Sequence, residues 1–549
     1  MNALRSILAL ALCGAALAGC TRTGGGKSAG GHNPWTIPGT LRLGEPDEPD
    51  SLNPLFANNA ASDLAFGMIF SYILRYDQNG NYFPDLALAV PTLANGGISK
   101  DQKTITIHLR HNAKWADGVP LTSADWIFTY HAVFNPANNT KTKYGWDDIA
   151  SVNAPDPYTI VMHLKAPTVA VLGILAPGGA GYPPLPAHVL STYPNLNRVS
   201  FNSAPLGSGP YVLKTWNHAS SLIFIPNAYY FRPLALKKVV WEVIPNTNTL
   251  FNELRTHDID VYAAVDENSV SQLGQIDGIN IDKRLVANWR RLQFNTSSSP
   301  NGGSHNPALH DARVRLAIAE AVDWKHINDT VYHGYNQLAT SDIFPDSWAA
   351  PTIPPYRFDV DDAKRQLTAA GFTLGSDGKL HDAKGNKLSL QLTTGTNKAE
   401  NVSAEVVIQR MLDAIGFDIQ IRNYPVNVLF AQTGPLYTGK YDMEWTVYLN
   451  GPDPDNSGNW DGHQIPPHGT NTSWLNDPIV NQTTEAAQKT FDQNARKALY
   501  QKEEMRIHQV VPAVFFYWEN QYTATNNDVK NYKPAAFILD SWNSWEWSV

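Results

Sequence analysis

The residues whose types and spacing could support chemistry form no complete catalytic or metal-binding pattern. The run Asp453-Pro-Asp-Asn-Ser-Gly458 resembles the start of a calcium loop, but Gln464 stands where that loop requires a bidentate glutamate. The 16 histidines are scattered, and His108 and His111 would point to opposite faces of a predicted strand. The sequence therefore predicts no metal site and no cofactor. A secreted hydrolase with two convergent carboxylates is the enzymatic alternative.

The N-terminal segment predicts export from the cytoplasm. Arg5 precedes an apolar run from Ile7 to Gly19. This run is too short to span a bilayer and is typical of a secretory signal. We expect residues 1–19 to be a signal peptide.

The two cysteines of the chain, Cys13 and Cys20, both lie in this N-terminal region. The sequence Leu17-Ala18-Gly19-Cys20 resembles the lipobox of bacterial lipoproteins, in which the cysteine accepts a diacylglycerol before cleavage. We therefore expect a lipidated Cys20 that anchors the protein to a membrane of the cell envelope, facing the periplasm. Residues 20–35 would form a flexible, Gly-rich tether. An ordinary cleaved signal with an unmodified Cys20 is the alternative.

Length and composition favour a folded body with more than one lobe. A chain of 549 residues exceeds the size of one ordinary core, and its 43% hydrophobic and 17% charged residues are typical of a folded, soluble protein. The net charge is -8 and no Lys/Arg-rich run stands out, which argues against a nucleic-acid partner.

Hydrophobic periodicity predicts strands alternating with amphipathic helices, and hence α/β architecture. Thr104–Arg110 alternates with period two, as a half-buried strand does. Four segments have helical periodicity: Ala124–Phe134, Asp311–Val322, Asp361–Ala370 and Val402–Ala414. Two apolar segments, Ala287–Asn295 and Val510–Tyr522, would cross between lobes. In the first, Leu292 and Phe294 alternate with Gln293 and Asn295, whose polar side we expect to face the cleft between the lobes.

Ordered sequence motifs along most of the chain carry a family resemblance. They are Glu48–Pro54, Thr104–Phe128, Pro205–Tyr211, His257–Val261, Leu292–Thr296, His310–Ile318 and Gly451–Asn456. Together they resemble the family 5 extracellular solute-binding proteins, which are the oligopeptide-, dipeptide- and nickel-binding components of ABC importers.

This resemblance implies a two-lobed α/β clamp of the periplasmic-binding-protein type (type II, cluster C), with an extra subdomain inserted in the first lobe. Residues 36–290 would form lobe I, with the insertion at about 57–200, residues 291–510 lobe II, and residues 511–549 a return to lobe I. The implied function is non-enzymatic capture of a peptide or a related small solute. The partners would be a permease and an ATPase, and the protein is expected to be a monomer.

The segment Glu444–Asn456 is where the resemblance implies ligand specificity. In the peptide-binding relatives an Asp three residues after a Trp pairs with the α-ammonium of the ligand. Here Trp445 matches the Trp, but Tyr448 replaces the acid, and Asp453 and Asp455 lie nearby. Oligosaccharides and metal chelates therefore remain open as ligands beside peptides. A ligand sensor that does not transport is a further alternative.

The expected ligand-binding residues come from both lobes. They are Asp50, Ser51, Asn53, Ser208 and Gly209 in the first lobe, and Asn295, Trp445, Tyr448, Asn450, Asp453 and Asp455 in the second. In particular, Trp445→Ala is predicted to weaken ligand binding tenfold or more, with little change in melting temperature.

Overall fold

The computed structural model describes residues 32–297, 306–396, 398–537 and 540–549. Cys20, the predicted signal peptide and most of the predicted tether lie outside these residues. Within the described part of the chain, no helix combines the length and apolarity needed to cross a membrane.

Strands and helices alternate along the chain. The strands are β1 Thr40–Glu45, β2 Leu74–Tyr76, β3 Tyr82–Pro84, β4 Thr104–His108, β5 Ile149–Asp156, β6 Thr159–Leu164, β7 Tyr211–Asn217, β8 Ser221–Pro226, β9 Lys238–Val243, β10 Val261–Val265, β11 Ile279–Phe294, β12 Gln337–Leu338, β13 Thr373–Leu374, β14 Leu380–His381, β15 Ser389–Thr393, β16 Asp418–Ile421, β17 Met443–Leu449 and β18 Ala513–Asn526. The helices are α1 Ala60–Ile69, α2 Ser123–Phe134, α3 Ala170–Gly173, α4 Ala187–Leu190, α5 Thr247–Arg255, α6 Glu267–Leu273, α7 Ala312–Ala321, α8 Trp324–Val331, α9 Val360–Ala369, α10 Ala399–Asp413, α11 Val426–Leu429, α12 Ser457–Trp460, α13 Pro478–Gln488 and α14 Gln493–Val510.

The predicted helices and strands are confirmed, with small shifts at their ends. The Asp311 side chain caps α7 by accepting from the backbone N–H of Arg313. Helices α9 and α10 are followed by Gly371 (φ +92°) and Gly416 (φ +104°), whose left-handed backbone ends a helix at little steric cost. The two predicted crossing segments lie mostly within the long strands β11 and β18, although Val510 is the last residue of α14 and Asn295 follows the end of β11.

One mixed sheet runs through the molecule, in the order β16-β15-β17-β11-β18-β10-β1-β9-β8-β7, with β12 added beside β18. The antiparallel pair β11 and β18, here called the hinge ribbon, joins the first lobe on the β10 side to the second lobe on the β17 side. The register of the ribbon shifts at two places, and such bulges bend and twist a strand pair. The predicted lobe boundary at 290/291 falls inside β11, so this strand serves both lobes; the other predicted boundaries remain predictions.

The inserted subdomain comprises the elements between β1 and β7, including two small sheets, β2-β3 and β4-β6-β5. Its buried residues, such as Trp115, Trp126 and Trp146, belong to the same hydrophobic cluster as Leu43 and Trp241 of the first lobe. The second lobe has a separate core built around α7, α8 and α10. The insertion therefore shares its core with the first lobe, whereas the second lobe packs around a core of its own.

Candidate functional site

A cavity of about 490 Å³ lies where both lobes meet the hinge ribbon. We call it the hinge-side cavity. The first lobe contributes the end of β10 with Asp266, and the second lobe contributes the N-terminus of α10, residues 398–401. The carboxyl ends of β1, β9 and β10 meet at one edge of the first lobe because these strands are parallel. This is the edge at which open α/β sheets bind ligands.

Arg290 is the least solvated charge in the hinge-side cavity. It is 1% exposed, and its Nε donates to the Tyr517 hydroxyl at 2.8 Å. Its NH2 lies 3.7 Å from Glu519, while its NH1 is buried without a hydrogen-bond partner among the described residues. Burial opposes its charge, yet Tyr517, Tyr332 and Glu519 outweigh burial and raise the pKa of Arg290. A buried cationic N–H without a partner is suited to a carboxylate.

The rest of the cavity wall carries both signs of charge. Lys398 is the N-cap residue of α10, and its side chain caps none of the N–H groups of the helix. This uncapped helix start therefore adds positive potential. Asp266, Glu400 and Glu519 supply negative charge, so the cavity suits a zwitterionic solute.

Backbone strain is stored at the same cavity. Ala264 (φ +53°) and His333 (φ +56°) both line it, one from each lobe, and both have left-handed backbone that non-glycine residues seldom adopt. The side-chain oxygen Oδ1 of Asn401, a third lining residue, is buried without a partner in the described structure. Strain and unmet polar groups concentrate at ligand sites.

A second space, the subdomain-side cavity, separates the inserted subdomain from the second-lobe loop 451–455. Two adjoining chambers of about 230 and 280 Å³ share Tyr82, Val169, Pro452 and Asp453 in their walls. The Tyr144 hydroxyl donates to Asp455 at 3.3 Å, and the Val169 N–H donates to the Gln488 carbonyl at 2.9 Å. These bonds hold the insertion against the second lobe.

Of the predicted residues, Asp453 and Asp455 lie in the walls of the subdomain-side cavity. The two carboxylates differ in whether a cationic side chain is bound to them. Asp453 makes a bidentate ion pair with Arg496, at 2.6 and 2.7 Å. Asp455 instead accepts from the neutral donors Tyr144 and Gln488. Asp455 is therefore the better placed of the two to attract a ligand cation.

The other predicted residues of the 444–456 segment pack inside the second lobe. Trp445 is fully buried and stacks near Trp324, which corrects the expectation that its ring lines the cleft. The Tyr448 ring covers the guanidinium of Arg291 at 3.6 Å, and its hydroxyl donates to Glu444 at 3.1 Å. These contacts arise because alternate residues of β17 point into the lobe on either side of the sheet.

Asn450 and Asn295 also make internal bonds. Asn450 accepts from the Trp289 indole N–H at 3.0 Å and donates to the carbonyl of Asp342. Asn295 is fully buried and donates to the carbonyls of Gly439 and Tyr441. The expectation that the polar side of β11 at its end faces the cleft is wrong, because second-lobe loops cover it.

Ser208 and Gly209 serve packing between β7 and the insertion. Ser208 Oγ accepts from the N–H of Ser71, and its carbonyl accepts from the Ser71 hydroxyl. A Cβ on Gly209 would lie 2.6 Å from the backbone of Ile69 and Phe70. Close backbone approach, rather than ligand contact, accounts for this glycine.

Asp50, Ser51 and Asn53 lie together but apart from both interlobe cavities. Asp50 and Ser51 line a shallow space of about 570 Å³ whose walls all belong to the first lobe and its insertion. Asn53 is buried and donates to Asn202 at 2.9 Å. Asp50 accepts from the Ser62 hydroxyl. Their prediction as contacts to an interlobe ligand is not supported by this placement.

Sequence reasoning missed Arg290, Lys398, Asn401, Asp266 and Glu519. One signal was available: two consecutive arginines, Arg290 and Arg291, interrupt an apolar segment already predicted to cross between lobes. Alternation places them on opposite faces of the strand, and burial of either one requires a specific partner.

Comparisons with known proteins agree on one family. The family model described as bacterial extracellular solute-binding proteins, family 5 Middle, matches residues 88–464. The oligopeptide-binding protein AppA of Bacillus subtilis is 25% identical over 506 residues, covering 90% of this chain and 89% of AppA. The dipeptide-binding protein DppE of the same organism is 25% identical over 551 residues, covering 96% of each. The crystal structure of NikZ from Campylobacter jejuni with Ni(L-His) superposes with a TM-score of 0.73 at 25% identity, covering 94% of this chain and all of NikZ.

Proposed function

This chain belongs to the bacterial extracellular solute-binding proteins of family 5, and from that premise we propose that it captures peptides for an ABC importer. Members of the family bind solutes, so the chain is a binding protein rather than an enzyme. Relatives named as ABC transporter peptide-binding proteins align with 95% of this chain. Their names support peptides as the ligand class and an ABC importer as the partner.

The observation that carries the proposal is the hinge-side cavity with its buried Arg290. Its volume of about 490 Å³ falls within the ~300–1,000 Å³ typical of small-molecule sites. Residues of both lobes line it, so a bound solute would contact both and shift the equilibrium toward the closed form.

We assign the ligand carboxylate to Arg290 and the N-terminus of α10. The ammonium of the ligand would pair with an acid that lacks a cationic partner of its own. Among the described residues Asp455 makes no direct ion pair, although Arg496 is near enough to interact with its charge, whereas Asp453 is paired directly with Arg496. Asp455 would then take over the role of the Asp that the peptide-binding relatives carry where this chain has Tyr448.

A metal–amino acid chelate is the second candidate ligand. NikZ, whose structure contains Ni(L-His), is as similar in sequence as AppA is. Such a chelate also presents a carboxylate, which Arg290 would bind in the same way.

A ligand screen distinguishes the two candidates. The mature chain without lipid would be unfolded and refolded to remove carried-over solute, then titrated calorimetrically with di-, tri- and pentapeptides, Ni(L-His) and maltooligosaccharides. Saturable binding of a peptide set, with a shift to a more compact form in X-ray scattering, would support the proposal. Binding of Ni(L-His) alone, or of a saccharide alone, would contradict it.

The location and assembly of the protein are part of the proposal. Cys20 would carry the lipid that holds the protein, as a monomer, beside its permease. The predicted tether would give it reach up to Asn33, which is buried and bonds to Asn526 and Asp528. Replacing Cys20 with serine should release the protein from the membrane fraction. An intact mass of the wild type without a diacylglycerol adduct would refute the anchor while leaving ligand capture untouched.

A further inference from the structure

Three metal-ligating side chains meet on the second lobe, in the segment that follows the 451–455 loop. They are Asp461, His463 and Glu485, and their donor atoms all lie within 4.8 Å of one another. His463 Nδ1 is 2.9 Å from Asp461 Oδ1 and 3.1 Å from Glu485 Oε1. None of the three lines the interlobe cavities, so the cluster is separate from solute capture.

The cluster has more acceptors than its imidazole can satisfy. One ring nitrogen carries one proton, so Nδ1 can donate a well-aligned hydrogen bond to only one of two carboxylates. Asp461 Oδ1 already accepts the backbone N–H of His463 at 2.9 Å. Lys489 pairs with the other oxygen of Glu485 (Nζ to Oε2, 3.6 Å), so the two carboxylate oxygens that converge on Nδ1 still repel each other unless a cation lies between them.

The elements that present the three ligands are tied together. Asp461 caps the 3-10 helix Gly462–Gln464, and its side chain is 4% exposed. The Gly462 N–H donates to Asn481 Oδ1 at 2.8 Å, one turn before Glu485 on α13. This bond fixes the turn against the helix, so the ligands are held near one another before any ion arrives.

We propose that Asp461, His463 and Glu485 bind a divalent transition-metal ion such as Zn²⁺. One imidazole with two carboxylates is a donor set that suits such ions, and water would complete the coordination. A tetrahedral ion with bonds of ~2.1 Å spaces its donor atoms by about 3.4 Å. The distances of 2.9 and 3.1 Å from His463 Nδ1 to the two carboxylate oxygens would therefore have to lengthen by a few tenths of an ångström. The side chains of His463 (69% exposed) and Glu485 (41% exposed) have the freedom to make this adjustment.

The test is calorimetric titration of Zn²⁺ into the tag-free, chelator-treated mature chain carrying Cys20→Ser, which removes both thiol and lipid. The wild-type site is expected to bind one ion. His463→Ala and Glu485→Gln should each weaken the affinity at least tenfold, since even outer-sphere changes cost ~10–100-fold. X-ray absorption of the loaded protein should show nitrogen and oxygen ligands only.

The chain offers a matched control in His381, whose Nε2 lies 3.0 Å from one carboxylate, Asp377, and whose Nδ1 lies 3.1 Å from the Gly385 carbonyl. His381→Ala should leave zinc affinity unchanged, and circular dichroism would verify that each variant is folded. The proposal is overturned if the protein shows no saturable binding in the micromolar range, or if His463→Ala binds as tightly as the wild type. Equal losses in His381→Ala and His463→Ala would also overturn it. No solute is present, so the outcome is independent of peptide capture.

Discussion

Replacement of Arg290 by methionine should weaken ligand binding while the hinge ribbon stays folded. The rings of Tyr332, Trp445 and Tyr517 all have centroids 5.6 Å from the guanidinium carbon, and a thioether packs well among aromatic rings. Glu519 loses its cationic neighbour, but its side chain is 20% exposed and water can hydrate it. The substitution therefore removes a donor from the cavity without leaving a fully buried charge unpaired.

The expected magnitude follows from the lost contact. A hydrogen bond between a charged donor and an anion contributes about 1.5–3 kcal/mol. Each 1.4 kcal/mol is a factor of ten in Kd, so Arg290→Met should weaken binding roughly 10- to 150-fold. The upper end applies if the partnerless NH1 is the donor, because burial strengthens the interaction.

The assay compares a peptide that binds the wild type with the same peptide amidated at its C-terminus. If Arg290 contacts the carboxylate, the wild type should prefer the acid over the amide, and Arg290→Met should lose most of that preference. Because the ligand itself supplies the second change, the four affinities form a double-mutant cycle that isolates the contact.

Arg291→Met is the matched control for this experiment. Arg291 is the adjacent residue, is equally buried, and lies over the Tyr448 ring on the opposite face of β11. Its loss should lower stability, because the buried Glu444 loses the cation that opposes its raised pKa, but should not change the acid-to-amide ratio. The assignment would be refuted if Arg290→Met weakened the binding of the peptide acid and of its amide equally. It would also be refuted if Arg290→Met and Arg291→Met changed the acid-to-amide ratio equally.

Three further predictions concern the cleft and the fold. Trp445→Ala should lower the free energy of unfolding by about 3–5 kcal/mol in urea titration, because its ring fills the core; an unchanged midpoint would contradict this placement. Asp455→Asn should weaken the binding of peptides with a free N-terminus roughly tenfold, as measured by calorimetry, and should change the binding of their acetylated forms little. Equal losses of affinity for the two forms would exclude the ammonium contact. Burial and two neighbouring carboxylates raise the pKa of Glu45 from 4.5 to about 8, so its contribution to stability is full below pH ~4.5 and is lost as pH rises through 8. Glu45→Gln should therefore flatten the fall in unfolding free energy between roughly pH 4.5 and 8, and parallel wild-type and variant curves would contradict it.

Local chemistry was sufficient to predict several elements of this fold. The Asp311 cap and the glycines after α9 and α10 act within one helical turn, so sequence alone reveals them. Period-two alternation at Thr104–His108 likewise depends only on neighbours along the strand. The ordered motifs then gave the two-lobed architecture, which the family match and the structural neighbours confirm.

The site was harder to predict because tertiary contacts determine which residues line it. Trp445 and Arg290 both lie on strands of the central sheet and both contact the same aromatic cluster, yet Arg290 lines the hinge-side cavity and Trp445 is fully buried in the core. A conspicuous tryptophan in the specificity segment was an attractive ligand contact, but aromatic side chains fill cores as readily as clefts. Trp445 is internal because α8, which carries Trp324, packs over it, and this tertiary contact is not visible in the sequence.

The bulges of the hinge ribbon are the deeper reason. Alternation along β11 predicts which of its residues share a face, but it predicts their neighbours on β18 only while the register with β18 is regular. The register shifts between Leu285 and Trp289 and again between Arg290 and Arg291. Each shift changes which partner-strand residues lie opposite the two arginines, and neither leaves a mark in the sequence. Residues 288–294 of β11 nevertheless pair in unbroken register with β17, so alternation still separates Arg290 from Arg291; what the sequence cannot show is which β18 side chains and which cavity lie beside each of them.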